Sequence, residues 1–596
     1  MNKIHKYPLG VIGNCSYLAY IDEQTRIKWL CMPNFDSSFV FGSLIDSEKG
    51  GEFSILPTES DFTSNQYYIG NTNVLCTEIH TGTGSYKVTD FAPRFLQFER
   101  HFRPLMLFRK IEPLSGRPSI KVTCKPVGGY GSIQPQIFRG SNHLRFQGIG
   151  ENVRLTTNVS LNHILNHKSI VLSETIYLAF TSEISLESGL EETCNAFLEK
   201  TILYWNNWIE TTSIPFMFQK EIIRSSLILK LHQYEDTGGI IASGSMALPE
   251  SDGEGRNWDY RYCWMRDSYY SLNALNHLGH FEESKKYFNY IENILNTEKH
   301  LIQPLYGIDG RKEITEQILP LKGYLDSNAP VRLGNAAYQH IQNDVYGQLL
   351  ISLLPLYTDE RLQNGNRERS PIIIHRLLNI IEEVFEMPDA GLWEFRNKQQ
   401  LHCYTYLFHW AGSHAALKIA IKLNDAVLKQ KALFMIQKSA EKIEMCFDET
   451  QGAYTQAIGN PNLDASGLKL ITMGYLEPND DRAIKHLSAL ENHLKTEEGF
   501  FFRYKHADDF GEPNNTFMIC SFWYAEALVC VNRCAEAKKL LEKLIQSGNH
   551  LGIFSEDVGR DGSQWGNFPQ TYSHVGLMNT VFRLARKLDI PGFLNV

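Results

Sequence analysis

The period of the hydrophobic pattern changes near residue 190, which commits the chain to two halves of different architecture. Before that point apolar residues alternate with polar ones. Ile120, Val122 and Cys124 interleave with Lys121 and Thr123, and Ile176, Leu178 and Phe180 repeat the pattern. Successive side chains of a strand point to opposite faces, so such runs predict antiparallel strands with one face buried, turned by residues such as Gly128-Gly129. Runs of this kind recur through 10–182 and predict a β-sandwich. After residue 215 the period is helical. Ile223, Leu227 and Leu231 fall at i, i+4, i+8, and Ala537, Leu540, Leu541 and Leu544 at i, i+3, i+4, i+7. About a dozen helices follow, starting near 216, 268, 281, 334, 370, 407, 426, 464, 478, 517, 533 and 573. The expected division is a β-sandwich over 1–186, a helical linker over 187–214 and a helical domain over 215–596.

Long loops separate some helix pairs, at 237–266, 297–333, 389–406 and 548–572. Loops of that length inside a compact domain are usually functional. A closed ring of six helical hairpins needs such loops between alternate helices, and two stacked rows of hairpins fit the pattern as well.

Composition narrows the function classes. With 43% hydrophobic and 21% charged residues, the chain has material for a sizeable core. Its 58 Lys+Arg against 67 Asp+Glu give a net charge of −9, and no basic block is present, which argues against nucleic-acid or anionic-membrane partners. No run approaches the roughly 20 apolar residues that span a bilayer. The first residues lack the apolar core of a secretory signal, so a cytoplasmic location is expected. The 11 cysteines are scattered, odd in number and without C-x-x-C spacing, so they read as reduced thiols and not as a disulfide or zinc framework. His163 and His167 lie four apart in a strand-rich region without a third ligand nearby, and no metal site is expected there.

The chemistry concentrates in the long loops. Trp258, Trp264, Trp393, Trp410 and Trp565 all lie in or beside them. A sugar ring offers apolar C–H faces and a rim of hydroxyls, so its pocket needs flat aromatic walls and planar charged groups. Arg256-Asn257-Trp258-Asp259-Tyr260-Arg261-Tyr262-Cys263-Trp264-Met265-Arg266-Asp267 supplies both within twelve positions, although a buried loop with internal Arg–Asp pairs would have the same composition. Glu394 sits between Trp393 and Phe395, where apolar flanks would raise a carboxyl pKa as a general acid requires. Glu556, with Asp557 as a substitute, is a candidate base in Phe554-Ser555-Glu556-Asp557. Singly, each carboxylate could equally be a surface charge or a cap, and spacing alone does not bring them together.

These loops resemble glycoside hydrolase family 15, the family of glucoamylases, glucodextranases and some trehalases. The resemblance also covers Ile12-Gly13-Asn14-Cys15, the run Ile27 to Ser37, Tyr306 to Gly310, Pro330 to Ala337 and Gly552 to His574. It implies a multidomain β + α fold, with an N-terminal antiparallel β-sandwich followed by a catalytic (α/α)6 barrel. It further implies exo-acting, inverting hydrolysis of α-glucosidic bonds, with Glu394 as acid and Glu556 as base. Arg266 and Asp267 would grip the terminal glucose, Trp264 would form a wall, and Trp393 and Arg503 would line the pocket near the scissile bond. No metal or organic cofactor is implied, because a carboxylate pair carries the proton transfers. The expected partner is an α-glucan or oligosaccharide substrate, starch, glycogen or maltooligosaccharide first, with trehalose or an isomalto-linked glucoside as the alternative. A glycosyl phosphorylase and a non-catalytic glucan binder are the more distant readings.

The chain departs from the family pattern at Thr405-Tyr406, His414-Ala415, Phe395 and the run Gly511-Glu512-Pro513-Asn514-Asn515, changes expected on the leaving-group side. His574 is expected to pack behind the site, and Glu382, Glu383 and Glu386 to lie on a solvated helix face.

Overall fold

The structure, a computed structural model, describes residues 4–298, 300–362 and 370–588. Its first part is built from antiparallel sheets. An eight-stranded sheet runs from Phe62–Tyr68 at one edge, through Leu75–Thr81, Gly84–Phe91, Met106–Gly116, Ile176–Ser182, Val153–Thr157 and His143–Gln147, to Gln136–Arg139. Four strands between Leu9 and Phe41, and the three strands Glu52–Pro57, Ser119–Lys125 and Ile170–Val171, form further sheets. Their apolar faces share one core of Ile21, Leu30, Phe41, Phe53, Val88, Leu107, Val122 and Phe180. Inside it Arg109 lies opposite Asp90 on the neighbouring strand and binds it at 2.7 and 3.2 Å, so this buried charge is paired. His163 falls on a short helix, Leu161–Leu165, where a strand-rich stretch was expected.

Helix Leu190–Glu210 leads into the second part. There, six helices form an inner ring: Asp267–Leu278, Asp344–Thr358, Cys403–Lys422, the 3-10 turn at 465–467 with Leu468–Thr472, Met518–Cys530 and Thr571–Leu588. Each packs on the next and the last packs on the first, which closes the ring and decides against stacked rows. Gln219–Leu231, Phe281–Thr297, Ile372–Val384, Ala426–Glu444, Asp481–Leu494 and Cys534–Gln546 form the outer layer. The sequence separates the two layers. Met518–Cys530 is buried on every side except at its last residue, whereas Cys534–Gln546 buries only Ala537, Leu540, Leu541 and Leu544. Eleven of the expected helix starts fall within four residues of the observed ones. The start expected near 334 falls instead on a 3-10 turn, Ala336–Gln339, and the helix begins at Asp344.

The β part buttresses the loops at one end of the barrel. Trp29 Nε1 donates to Gly244 O at 2.8 Å, Tyr7 Oη donates to Gly566 O at 2.9 Å, and Arg261 reaches from its pair with Asp259 to Ser37 O at 2.8 Å. Arg94 binds Asn14 O and Glu235, and Lys230 binds Glu235 and Glu283, all in the seam between the two parts. The loops 237–266 and 548–572 are therefore held from both sides. Among the described residues no helix is long and apolar enough to cross a membrane.

Candidate active site

Two adjoining cavities, each about 60 Å³, open among the long loops and share Tyr260, Trp393, Glu394 and Arg503 as walls. The inner one is completed by Trp264, Arg266, Asp267, Phe517, Trp523, Gln570 and Tyr572. Six of the seven residues expected from the sequence line it: Trp264, Arg266, Asp267, Trp393, Glu394 and Arg503. The seventh, Glu556, lines neither cavity.

Glu394 stands where the cavities meet. Its backbone is left-handed, with φ of 59°, a conformation that costs a non-glycine residue of order 1 kcal/mol and is tolerated where the surroundings impose it. The preceding turn imposes it: Glu394 N donates to Gly391 O and Phe395 N to Ala390 O, both at 3.1 Å. Gly391 has φ of 66°, and a Cβ there would lie 2.5 Å from His402 Nε2, so only glycine fits. Asp389 anchors the same turn, accepting from Asn343 N at 2.7 Å and from Thr405 Oγ1 at 3.0 Å.

This geometry corrects the reading of Glu394 from its sequence neighbours. Its carboxylate accepts from Trp264 Nε1 at 2.7 Å, Gln342 Nε2 at 3.2 Å and Arg266 Nη1 at 3.3 Å, none of them a sequence neighbour. Burial raises its pKa, but the Arg266 charge, His340 and the bonds from Trp264 and Gln342 outweigh it, and the net direction is down. Asp267 shows the opposite balance, burial raising its pKa to about 6 against the charge of Arg266. Asp267 Oδ1, Gln570 Oε1 and Trp523 Nε1 have no hydrogen-bond partner in the protein, although all three side chains line the inner cavity. Buried polar atoms are nearly always paired, so three unpaired ones beside this cavity are unusual.

Glu556 is buried beside Tyr260, one side chain back from the cavity wall. Its Oε2 accepts from Asn567 N at 3.1 Å, and Oε1 has no partner in the protein. A Cβ on Gly566, whose φ is 72°, would lie 2.6 Å from that of Glu556, so glycine is required there too. Burial first, then the negative charge of Glu250, pushes the Glu556 carboxyl up to about 8. Asp557, its possible substitute, is equally buried, and both its carboxylate oxygens lack protein partners. Tyr260 links the two carboxylates. Its ring lines both cavities, and its hydroxyl is held protonated by burial and by the charges of Glu556, Glu250 and Glu394.

The outer cavity is walled by residues that sequence reasoning did not single out: Glu250, Asn335, His340, Arg396, Asp508 and Phe510. Glu250 accepts from Trp258 Nε1 at 2.9 Å and pairs with Arg503. Arg396 is paired with Glu316 at 2.8 Å. Of the departures from the family pattern, only Phe395 lines a cavity. Thr405 acts through Asp389, Tyr406 donates to Phe385 O at 3.0 Å, and His414 packs on Trp410 away from the site. His574 accepts from Phe554 N at 3.2 Å and contacts Ser225 Oγ at 2.9 Å, and so sits behind the loop that carries Glu556.

Known proteins resemble this chain over nearly its whole length. A model of glycosyl hydrolases family 15 matches residues 217–582, and a model described as trehalase-like, N-terminal, matches 4–171. The chain is 30% identical to a trehalase of Thermoplasma volcanium, over 97% of this chain and 93% of that one. It is 31% identical to a trehalase of Thermoplasma acidophilum (94% and 97%) and 29% identical to one of Mycolicibacterium smegmatis (97% and 91%). A crystal structure of a bacterial glucoamylase complexed with acarbose superimposes with a TM-score of 0.70, over 99% of this chain and 96% of that one. At 15% identity that likeness speaks for the fold, a β-rich domain followed by an (α/α)6 barrel.

Proposed function

The chain belongs to glycosyl hydrolases family 15 and is a glycoside hydrolase, and from that premise we propose that it hydrolyses trehalose to two glucose molecules. The observation that carries this reading is the pair of small cavities meeting at Glu394. They lie on either side of a single carboxyl group, the arrangement that a bond between two sugar rings requires. Full-length relatives named trehalase support the same choice, and move the preferred substrate from the starch or glycogen expected first to the disaccharide.

In this reading the inner cavity takes the ring that is attacked. Asp267 and Arg266 bind its hydroxyls and Trp264 covers a face. Glu394, at the boundary between the rings, protonates the bridging oxygen as the bond to the anomeric carbon breaks. Glu556, aided by Tyr260, takes a proton from the water that attacks that carbon from the opposite side, and the configuration inverts. Sugar hydroxyls that engage Arg266 and expel water weaken the forces that hold Glu394 ionised, so its pKa rises as the substrate settles.

A second assignment has one specific observation in its favour. The surroundings of Glu394 lower its carboxyl pKa, while burial and the charge of Glu250 raise that of Glu556, the order expected for the reverse roles. The position of Glu394 on both cavities favours it as the acid, since only a group at the junction reaches the bridging oxygen. Glucose release from trehalose, maltotriose and isomaltose, measured side by side, tests the substrate. Preference for trehalose supports the proposal, and preference for maltotriose returns the chain to the glucoamylase reading.

A further inference from the structure

One wall of the outer cavity is a short segment that is also exposed to solvent. Residues 506–511 run along the cavity: Asp508, Asp509 and Phe510 line it, while Ala507, Asp509 and Gly511 are also exposed to solvent. The segment is a tight turn: Asp508 N donates to Gly511 O at 3.1 Å, and Phe510 N to Asp508 Oδ1 at 2.7 Å. It is tied down on two sides. Arg256 binds both Asp508 oxygens at 2.8 and 2.6 Å and Gly511 O at 2.7 Å. Across the cavity mouth, Asp509 accepts from Arg396 N at 2.6 Å and Asn397 Nδ2 at 2.9 Å.

Phe510 closes the centre. Its ring meets Trp258 edge-on at 5.0 Å, and the guanidiniums of Arg396, Arg256 and Arg332 lie over it at 5.5, 5.6 and 5.9 Å. An aromatic ring beneath three cations, each of them paired with a carboxylate, is held by several weak attractions at once and does not swing aside freely. Pro513 restricts the chain just beyond this segment, and Asn515 Nδ2 donates to Glu250 O at 2.7 Å.

We propose that the strap 506–511 sets a length limit of two sugar rings, with Phe510 as the residue that excludes a third on the leaving-group side. The proposal rests on the reading of the cavities at Glu394 as the glucoside site, but not on which linkage is cleaved there. A third ring attached to the leaving sugar would have to pass through the space that Phe510 and its arginine partners fill, and steric exclusion of this kind gives specificity by penalising the wrong substrate.

The test compares pairs of substrates that differ by one ring on the leaving side: trehalose with its α-1,4-glucosylated trisaccharide, and maltose with maltotriose. For each, kcat/KM is measured with the wild type, Phe510→Ala and Asp509→Ala. Wild type is expected to favour the disaccharide by about 100-fold, and each variant to narrow that ratio at least about tenfold, mainly through KM of the trisaccharide. Thermal melting identifies any variant that is not folded, and the exposed Asp509 position keeps the test open if Phe510→Ala does not fold. Equal wild-type rates on the two lengths, or an unchanged ratio in folded variants, would overturn the proposal. Turnover of maltose but not trehalose would overturn the substrate reading and leave the length limit to stand on the maltose pair. No turnover of either disaccharide would overturn the site itself and the strap with it.

Discussion

The indole N–H of Trp264 donates a 2.7 Å hydrogen bond to Glu394 Oε1, the same oxygen that Gln342 and Arg266 approach at 3.2 and 3.3 Å. Three donors on one oxygen favour the carboxylate. Trp264→Phe keeps an aromatic wall and deletes one donor, so the Glu394 pKa should rise, by up to about one unit for a hydrogen bond to a charged group. The kcat/KM profile reports the free enzyme, where Glu394 is the lower-pKa carboxyl of the pair and so sets the acidic limb. The pH profile on trehalose checks this: movement of the acidic limb to higher pH is expected, and an unmoved profile contradicts the coupling.

The roles of the two carboxylates separate on a substrate whose leaving group needs no proton. α-Glucosyl fluoride is such a substrate. Glu394→Gln should lose about 10²–10⁴-fold on trehalose yet keep most of its rate on the fluoride, whereas Glu556→Gln should lose on both. The reverse pattern would assign the reverse roles.

Trehalose also reports its own stereochemistry. Attack with inversion gives β-glucose from the ring in the inner cavity, while the leaving ring keeps its anomeric carbon untouched and departs as α-glucose. Proton NMR in the first moments of reaction should therefore show equal amounts of the two anomers. An initial burst of α-glucose alone means retention, and a nucleophilic carboxylate in place of a base.

Stability should depend on pH through the seam between the two parts of the molecule. Glu283 and Lys230 form a buried pair at 3.1 Å. Burial opposes the charged form of Glu283, but Lys230 and His280 overcome it and lower its pKa to about 2. A depressed carboxyl pKa stabilises the folded state above its unfolded value, near 4.5, and that contribution is lost as pH falls from there toward 2. Glu283→Gln should thus cost of order 3 kcal/mol at neutral pH, with the gap to wild type narrowing in acid. Urea unfolding of both proteins across that range checks it, and a pH-independent gap contradicts it.

Much of the fold was legible because helix and strand periods are local. Ala537, Leu540, Leu541 and Leu544 announce an outer helix whatever it packs on. The closing of the ring was not legible, since it depends on contacts between Asp267–Leu278 and Thr571–Leu588, some 300 residues apart. The same contrast holds in the site. The motif at 256–267 reveals its polar-aromatic character in its own letters. The environment of Glu394 was misread because its carboxylate is set by Trp264, Gln342 and Arg266, which lie 130, 52 and 128 positions away. Glu250 gave no signal, since its partner Arg503 lies 253 positions away. Tyr260 was quoted within a motif without a role, because its place between two carboxylates exists only in the folded chain.

The central claim is that the paired cavities meeting at Glu394, with Glu556 behind Tyr260, cleave trehalose. The most direct measurement is glucose release from trehalose by the wild type and by Glu394→Gln and Glu556→Gln at matched enzyme concentration, with folding confirmed by melting temperature. Two glucose molecules per trehalose from the wild type, and rates lower by about 10²–10⁴-fold in both folded variants, are the expected result. A wild type inert toward trehalose, or near-normal turnover in either variant, would contradict the account.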